Sequence, residues 1–227
     1  RMFHWLFALS FAGAYLTADG ERWRALHVSL GYVFAGLLVF RLLYGLLGPR
    51  QARLAPMLRR LAGASAWLRG LAAAARRGTL EGVNARQGQN LALALAVVAL
   101  LVLALPVAFS GYAAYEEWGD ALGGDWLEEL HELLAEAMLA LVLAHLSLIA
   151  VTSALRRSNL ALPMITGKSQ GDGPDLVQRN RAWLAAGLLI AVLAFLGWDL
   201  SRMPVAAPSA KEWSANVPHR DHGHEDD

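Results

Sequence analysis

The chain has no cysteine in its 227 residues. That absence excludes disulfides, thiolate metal sites, iron–sulfur clusters and a C-x-x-C-H haem attachment. Any redox group must therefore be held without a covalent thioether. Charge is scarce as well: 17% of residues are charged, against about 25% in an ordinary soluble domain. The 20 basic and 19 acidic residues nearly cancel, and a formal charge of +1 offers no field for nucleic acid or another polyanion. What fills the chain is apolar, with 56% hydrophobic residues and a mean hydropathy of +0.37. These figures argue against a soluble enzyme and a disordered chain. They describe a membrane protein.

A spanning helix needs about 20 apolar residues, rising 1.5 Å each, to cross a hydrocarbon core of about 30 Å. Five stretches are read as spans, at about 2–18, 26–47, 90–111, 127–155 and 182–200. The first has no small-residue cleavage site, so it is read as a span and not as a removable signal. The chain opens on Arg1 rather than an initiator Met, and upstream residues are expected. Ala- and Leu-rich runs of this length satisfy their backbone only as helices, so the expected fold is all-α: a four-helix bundle plus a fifth transmembrane helix.

Orientation follows from the basic residues. Arg50, Arg53, Arg59, Arg60, Arg69, Arg76, Arg77 and Arg86 lie between the second and third spans, against the single acid Glu81. Arg156, Arg157, Lys168, Arg179 and Arg181 lie between the fourth and fifth. The link between the third and fourth spans carries Glu116, Glu117, Asp120, Asp125, Glu128 and Glu129 and no base. The reading is a cytoplasmic N-terminus and a periplasmic C-terminus in the bacterial inner membrane. An amphipathic helix is expected around residues 57–77 of the basic loop 49–89, lying on the anionic leaflet. Residues 1–168 form the expected bundle, 169–200 a linker and the fifth helix, and 201–227 a polar tail. Within that tail His219, His222 and His224 stand among acids and are a candidate divalent-metal site.

Four of the seven histidines, His4, His27, His131 and His145, fall inside or at the mouth of a span. Ionisable groups at this depth are costly and usually functional. Fourteen residues separate His131 from His145. At about 100° each they bring the two imidazoles within roughly 40° of one another on one helix face, about 21 Å apart along the axis. Topology places His27 at the depth of His131, and His4 at the depth of His145. Two cross-helix pairs of imidazoles, with no thiolate or carboxylate beside them, suit six-coordinate iron porphyrins. The plainer account is a helix–helix hydrogen bonder or a proton relay.

Gly31 lies one turn below His27, and Gly13 and Gly36 also thin the bundle, as a flat macrocycle requires and as bare helix contacts also do. Haem propionates need cationic donors near each surface. Arg41 and, less well placed, Arg1 suit the inner level; Arg22 or Arg24 suits the outer. Snorkelling to lipid phosphate competes with each of these roles.

Arg1-x-x-His4-Trp5, Leu26-His27-Val28-Ser29-Leu30-Gly31-Tyr32, Phe40-Arg41, Leu130-His131-Glu132 and Ala144-His145-Leu146 follow one pattern. So does the segment from Asn159-Leu160 to Met164-Ile165-Thr166-Gly167-Lys168. In order and spacing they resemble the bacterial cytochrome b561 and nickel–iron hydrogenase b-type cytochrome family, over about residues 1–168. The resemblance implies two b haems, the inner on His4 and His145 and the outer on His27 and His131. It also implies electron exchange between the quinone pool and a periplasmic redox partner, a c-type cytochrome, a hydrogenase or another dehydrogenase. Many members carry Gly-His-Asn-Pro before the third helix, where this chain reads Gly82-Val83-Asn84-Ala85. The fifth span and tail are absent from the short four-helix members and favour a subunit docked to something outside.

The expected function is therefore an electron relay, with a self-sufficient superoxide:quinone oxidoreductase as the alternative and a haem-free scaffold as the third reading. The acidic outer link offers a surface to a basic partner. No motif marks a quinone site; Trp5, Trp67 and Met164 are candidate neighbours, and interfacial Trp also serves as a membrane anchor.

Overall fold

Long apolar segments in this chain have one way to satisfy their backbone, and a computed structural model shows them taking it. It describes residues 1–48, 53–79, 81–119, 125–166 and 182–202, which contain helices and no strand. The helices are α1 (Met2–Leu16), α2 (Arg24–Leu47), α3 (Ala55–Ala62), α4 (Ala64–Arg76), α5 (Ala85–Tyr115), α6 (Trp126–Arg156), α7 (Leu162–Thr166) and α8 (Ala182–Arg202). A 3₁₀ turn, Glu21–Trp23, leads into α2.

Of the five expected spans, α2 with its leading turn, α5, α6 and α8 are long and apolar enough to cross a bilayer. The first is shorter than expected. Its fifteen residues reach about 22 Å, against a core of about 30 Å. Thr17 closes it, its hydroxyl donating to the Gly13 carbonyl at 2.7 Å, and Gly20 at φ 112° turns the chain away. The single amphipathic helix expected at 57–77 is two helices, α3 and α4, broken at Gly63. They pack on α5, where the Trp67 indole donates to the Asn84 carbonyl at 3.0 Å. Asn84 caps α5 by accepting from the Gln87 N–H at 3.0 Å. The family's Asn-Pro position is thus a helix start, filled here by Asn84 and Ala85.

The helices pack as two pairs, α1 with α2 and α5 with α6, and α2 joins them through α5. Arg156, near the end of α6, fastens its own pair by donating to the Gln89 side chain at 2.7 Å and the Asn90 side chain at 2.9 Å on α5. α8 lies against α1 and α2. Among the described residues, α6 follows α5 closely but runs along neither α1 nor α2 at helix-packing distance. A seam therefore separates α6 from the α1–α2 pair.

Phe34 and Leu38 of α2, Ala104 and Val107 of α5 and Met138 of α6 form the buried core, with Phe7 and Phe11 of α1 against it. Met138 is seven residues from His131 and seven from His145, so this core fills the middle of the bundle between the two histidine levels. Outward-facing residues such as Leu16, Leu47, Leu133 and Ile190 are exposed, as a lipid-solvated surface requires.

Candidate functional site

The seam is where the histidines meet. His27 stands at the fourth position of α2 and His131 in the second turn of α6. Their rings cross it with centroids 6.2 Å apart and planes at 79°. His27 Nδ1 lies 2.8 Å from the carbonyl oxygen of Ala14 on α1. A carbonyl only accepts, so Nδ1 carries the proton and Nε2 keeps its lone pair. On α5 the Ser110 hydroxyl donates to the Val107 carbonyl at 3.2 Å, and its oxygen lies 3.1 Å from His131 Nδ1. Ser110 thus bridges the Val107 carbonyl and the His131 ring, engaging that ring through Nδ1. Anchoring one ring nitrogen in this way is how proteins orient an imidazole for a metal.

Gly111 makes the space for it. A Cβ at that position would stand 2.7 Å from Cε1 of the His131 ring, closer than carbon atoms tolerate. Neither Ser110 nor Gly111 was singled out from sequence. The only signal was two small residues, one of them polar, near the end of a Leu-rich span.

The lower pair is looser. His145 lies within electrostatic reach of His4. The Nδ1 atom of His145 is buried and has no hydrogen-bond partner among the described residues. His4 is exposed, its ring edge-on to Trp5 at 5.9 Å. The structure brings the His27 and His131 rings together across the seam and sets His4 within electrostatic reach of His145. Among the described residues no group of three or more His, Asp or Glu is arranged to hold a metal ion. The His-rich tail lies outside the described residues.

The other expected site residues divide. Arg41 is half-buried near the inner end of α2, and Gly45 gives it room: a Cβ there would lie 2.8 Å from Arg41 Nη1. Arg22 is turned onto the Trp23 ring, 5.5 Å from its centroid. Arg24 and Arg1 are exposed at the first position of α2 and the N-cap of α1. No described contact brings Arg22 or Arg24 to a histidine pair, whereas the amino terminus at Arg1 lies within electrostatic reach of His4. Gly31 and Gly36 face open space, whereas at Gly13 a Cβ would strike Leu30 at 2.8 Å, so Gly13 serves the α1–α2 contact. Trp5 donates to the Met164 carbonyl at 3.3 Å, while Trp67 lies apart, over Gly88 of α5.

Comparisons with curated proteins and with solved structures return no match. The family model for prokaryotic cytochrome b561 matches residues 1–167, a stretch that holds all four intramembrane histidines and stops short of α8. A membrane bundle with imidazoles facing across a seam is what that family needs for haem b and electron transfer, and the chain belongs to the prokaryotic cytochrome b561 family.

Proposed function

We propose that the protein is a di-haem b cytochrome of the bacterial inner membrane that relays electrons between the quinone pool and a redox partner outside. The outer haem is held by His27 and His131, the inner by His4 and His145. The observation that carries this reading is the outer pair, two imidazoles 6.2 Å apart, each engaged at Nδ1 by a neighbouring helix. Two imidazoles that would hold one metal ion between them at about 2 Å each would stand at a centroid separation of this order. One further feature fits a bound macrocycle: the clearance that Gly111 leaves for the His131 ring.

When bound, b haem supplies a one-electron iron couple. The chain's own residues do the rest. Ala14 and Ser110 anchor the outer rings through Nδ1. Phe34, Leu38 and Met138 keep the space between the levels apolar and filled. Arg41 supplies cationic donors for a propionate at the inner level. Arg22, Arg24 and Arg1 are the weaker candidates for this role, since no described contact turns their guanidinium groups inward. Glu116 and Glu117 are exposed where the positive-inside rule puts the periplasm, and they favour a basic partner such as a c-type cytochrome.

The test is stoichiometry. Purified protein should give a reduced-minus-oxidised b-type spectrum and two haems per chain by pyridine haemochrome. One haem or none rejects the assignment.

A further inference from the structure

α8 lies beyond the family match, yet it is fastened to the bundle at the level of the outer histidines. It carries one acid, Asp199. The Ser29 hydroxyl of α2, fully buried, donates to Asp199 Oδ2 at 2.7 Å and also lies 2.9 Å from the Ala25 carbonyl. A hydroxyl has one proton, and a carboxylate is the stronger acceptor, so the bond across the helices prevails over the local one. Phe195, one turn earlier on α8, meets Tyr32 at 6.5 Å and completes the contact. Among the described residues Asp199 forms no ion pair.

Ser29 follows His27 by two residues, which is about 3 Å along the α2 axis and about 200° around it. The carboxylate therefore shares the depth of the outer pair and stands across α2 from it, roughly one helix diameter of 10–12 Å away. The inner level is about 21 Å further along the axis. Lipid-embedded protein screens such a charge far less than salt water does, and its effect falls with distance.

We infer that Asp199 is a potential-setting residue for the outer haem: its fixed negative charge, held by Ser29, stabilises the more positive oxidised iron and lowers the outer midpoint selectively. The inference rests on the two-haem reading above. It makes α8 part of the redox machinery and not only a membrane anchor.

The experiment is a spectroelectrochemical titration of the full-length protein, with the outer component identified as the one missing from His131→Ala. Asp199→Asn, isosteric and still able to accept from Ser29, should raise the outer midpoint and leave the inner where it was. Asp199→Glu should restore it. Ser29→Ala keeps the charge and loses only the bond, so its outer midpoint should hold or fall. An unchanged outer midpoint in Asp199→Asn overturns the inference, as does an equal shift of both haems. A rise in Ser29→Ala also overturns it, because docking and not charge would then be the cause. A wild-type protein with fewer than two components defeats the two-haem reading itself, and that is visible before any variant is made.

Discussion

The two histidine levels of this bundle are built differently. At the outer level both rings are anchored through Nδ1 before any ligand arrives, by a carbonyl of α1 and a hydroxyl of α5. At the inner level His145 has a buried nitrogen with no partner and His4 is exposed. Preorganisation of the first kind lowers the entropy cost of binding. The lesson is that one helix face can present two identical ligands of unequal readiness. The difference comes from the helices around it.

That contrast can be broken most forcefully by removing a ligand. His131→Ala should lose the outer haem and keep the inner, halving haem per chain by haemochrome; His145→Ala should do the converse. Equal loss of both in either variant rejects the pairing.

A smaller effect is expected at Gly111. An alanine there forces the His131 ring aside, and overpacking of this kind costs about 1–3 kcal/mol. Outer-haem occupancy should fall severalfold while the inner is kept. Gly36→Ala, which faces open space, should change neither.

Graded haem extraction in detergent should sharpen the comparison further. The inner haem should leave first, because its histidines lack the outer pair's anchors; simultaneous loss, followed spectroscopically, contradicts the difference in readiness. Arg41→Ala should next lower the inner midpoint alone, since a positive charge favouring the reduced iron is removed. A redox titration that leaves the inner midpoint unmoved removes Arg41 from that role.

The smallest effect is expected from Ser110→Ala. It takes away the hydroxyl that engages His131 Nδ1, so the ring donates less charge to iron. The outer midpoint should rise modestly with haem retained.

Much of this was legible in the chain itself. The spans at α2, α5, α6 and α8 were read within a few residues, because hydrocarbon leaves a long apolar segment no alternative to helix. The shared face of His131 and His145 followed from the helical repeat alone. The break at Gly63 was not read, because apolar and basic residues alternate smoothly through it and only the chain path shows two helices. Ser110 and Gly111 were missed because small residues are common at any membrane helix contact. Asp199 was not singled out either, because its partner Ser29 is 170 residues away and nothing local marks the contact.

Composition and helical periodicity, acting alone, settled that this is a membrane helical bundle whose histidines fall on two levels, since both depend only on local geometry and on the solvent. Which nitrogen of His27 is protonated, which glycine makes room for an imidazole and which face of α2 receives α8 were decided by the fold. Those properties arise where atoms from different helices come within 3 Å of one another, and no single segment carries that distance.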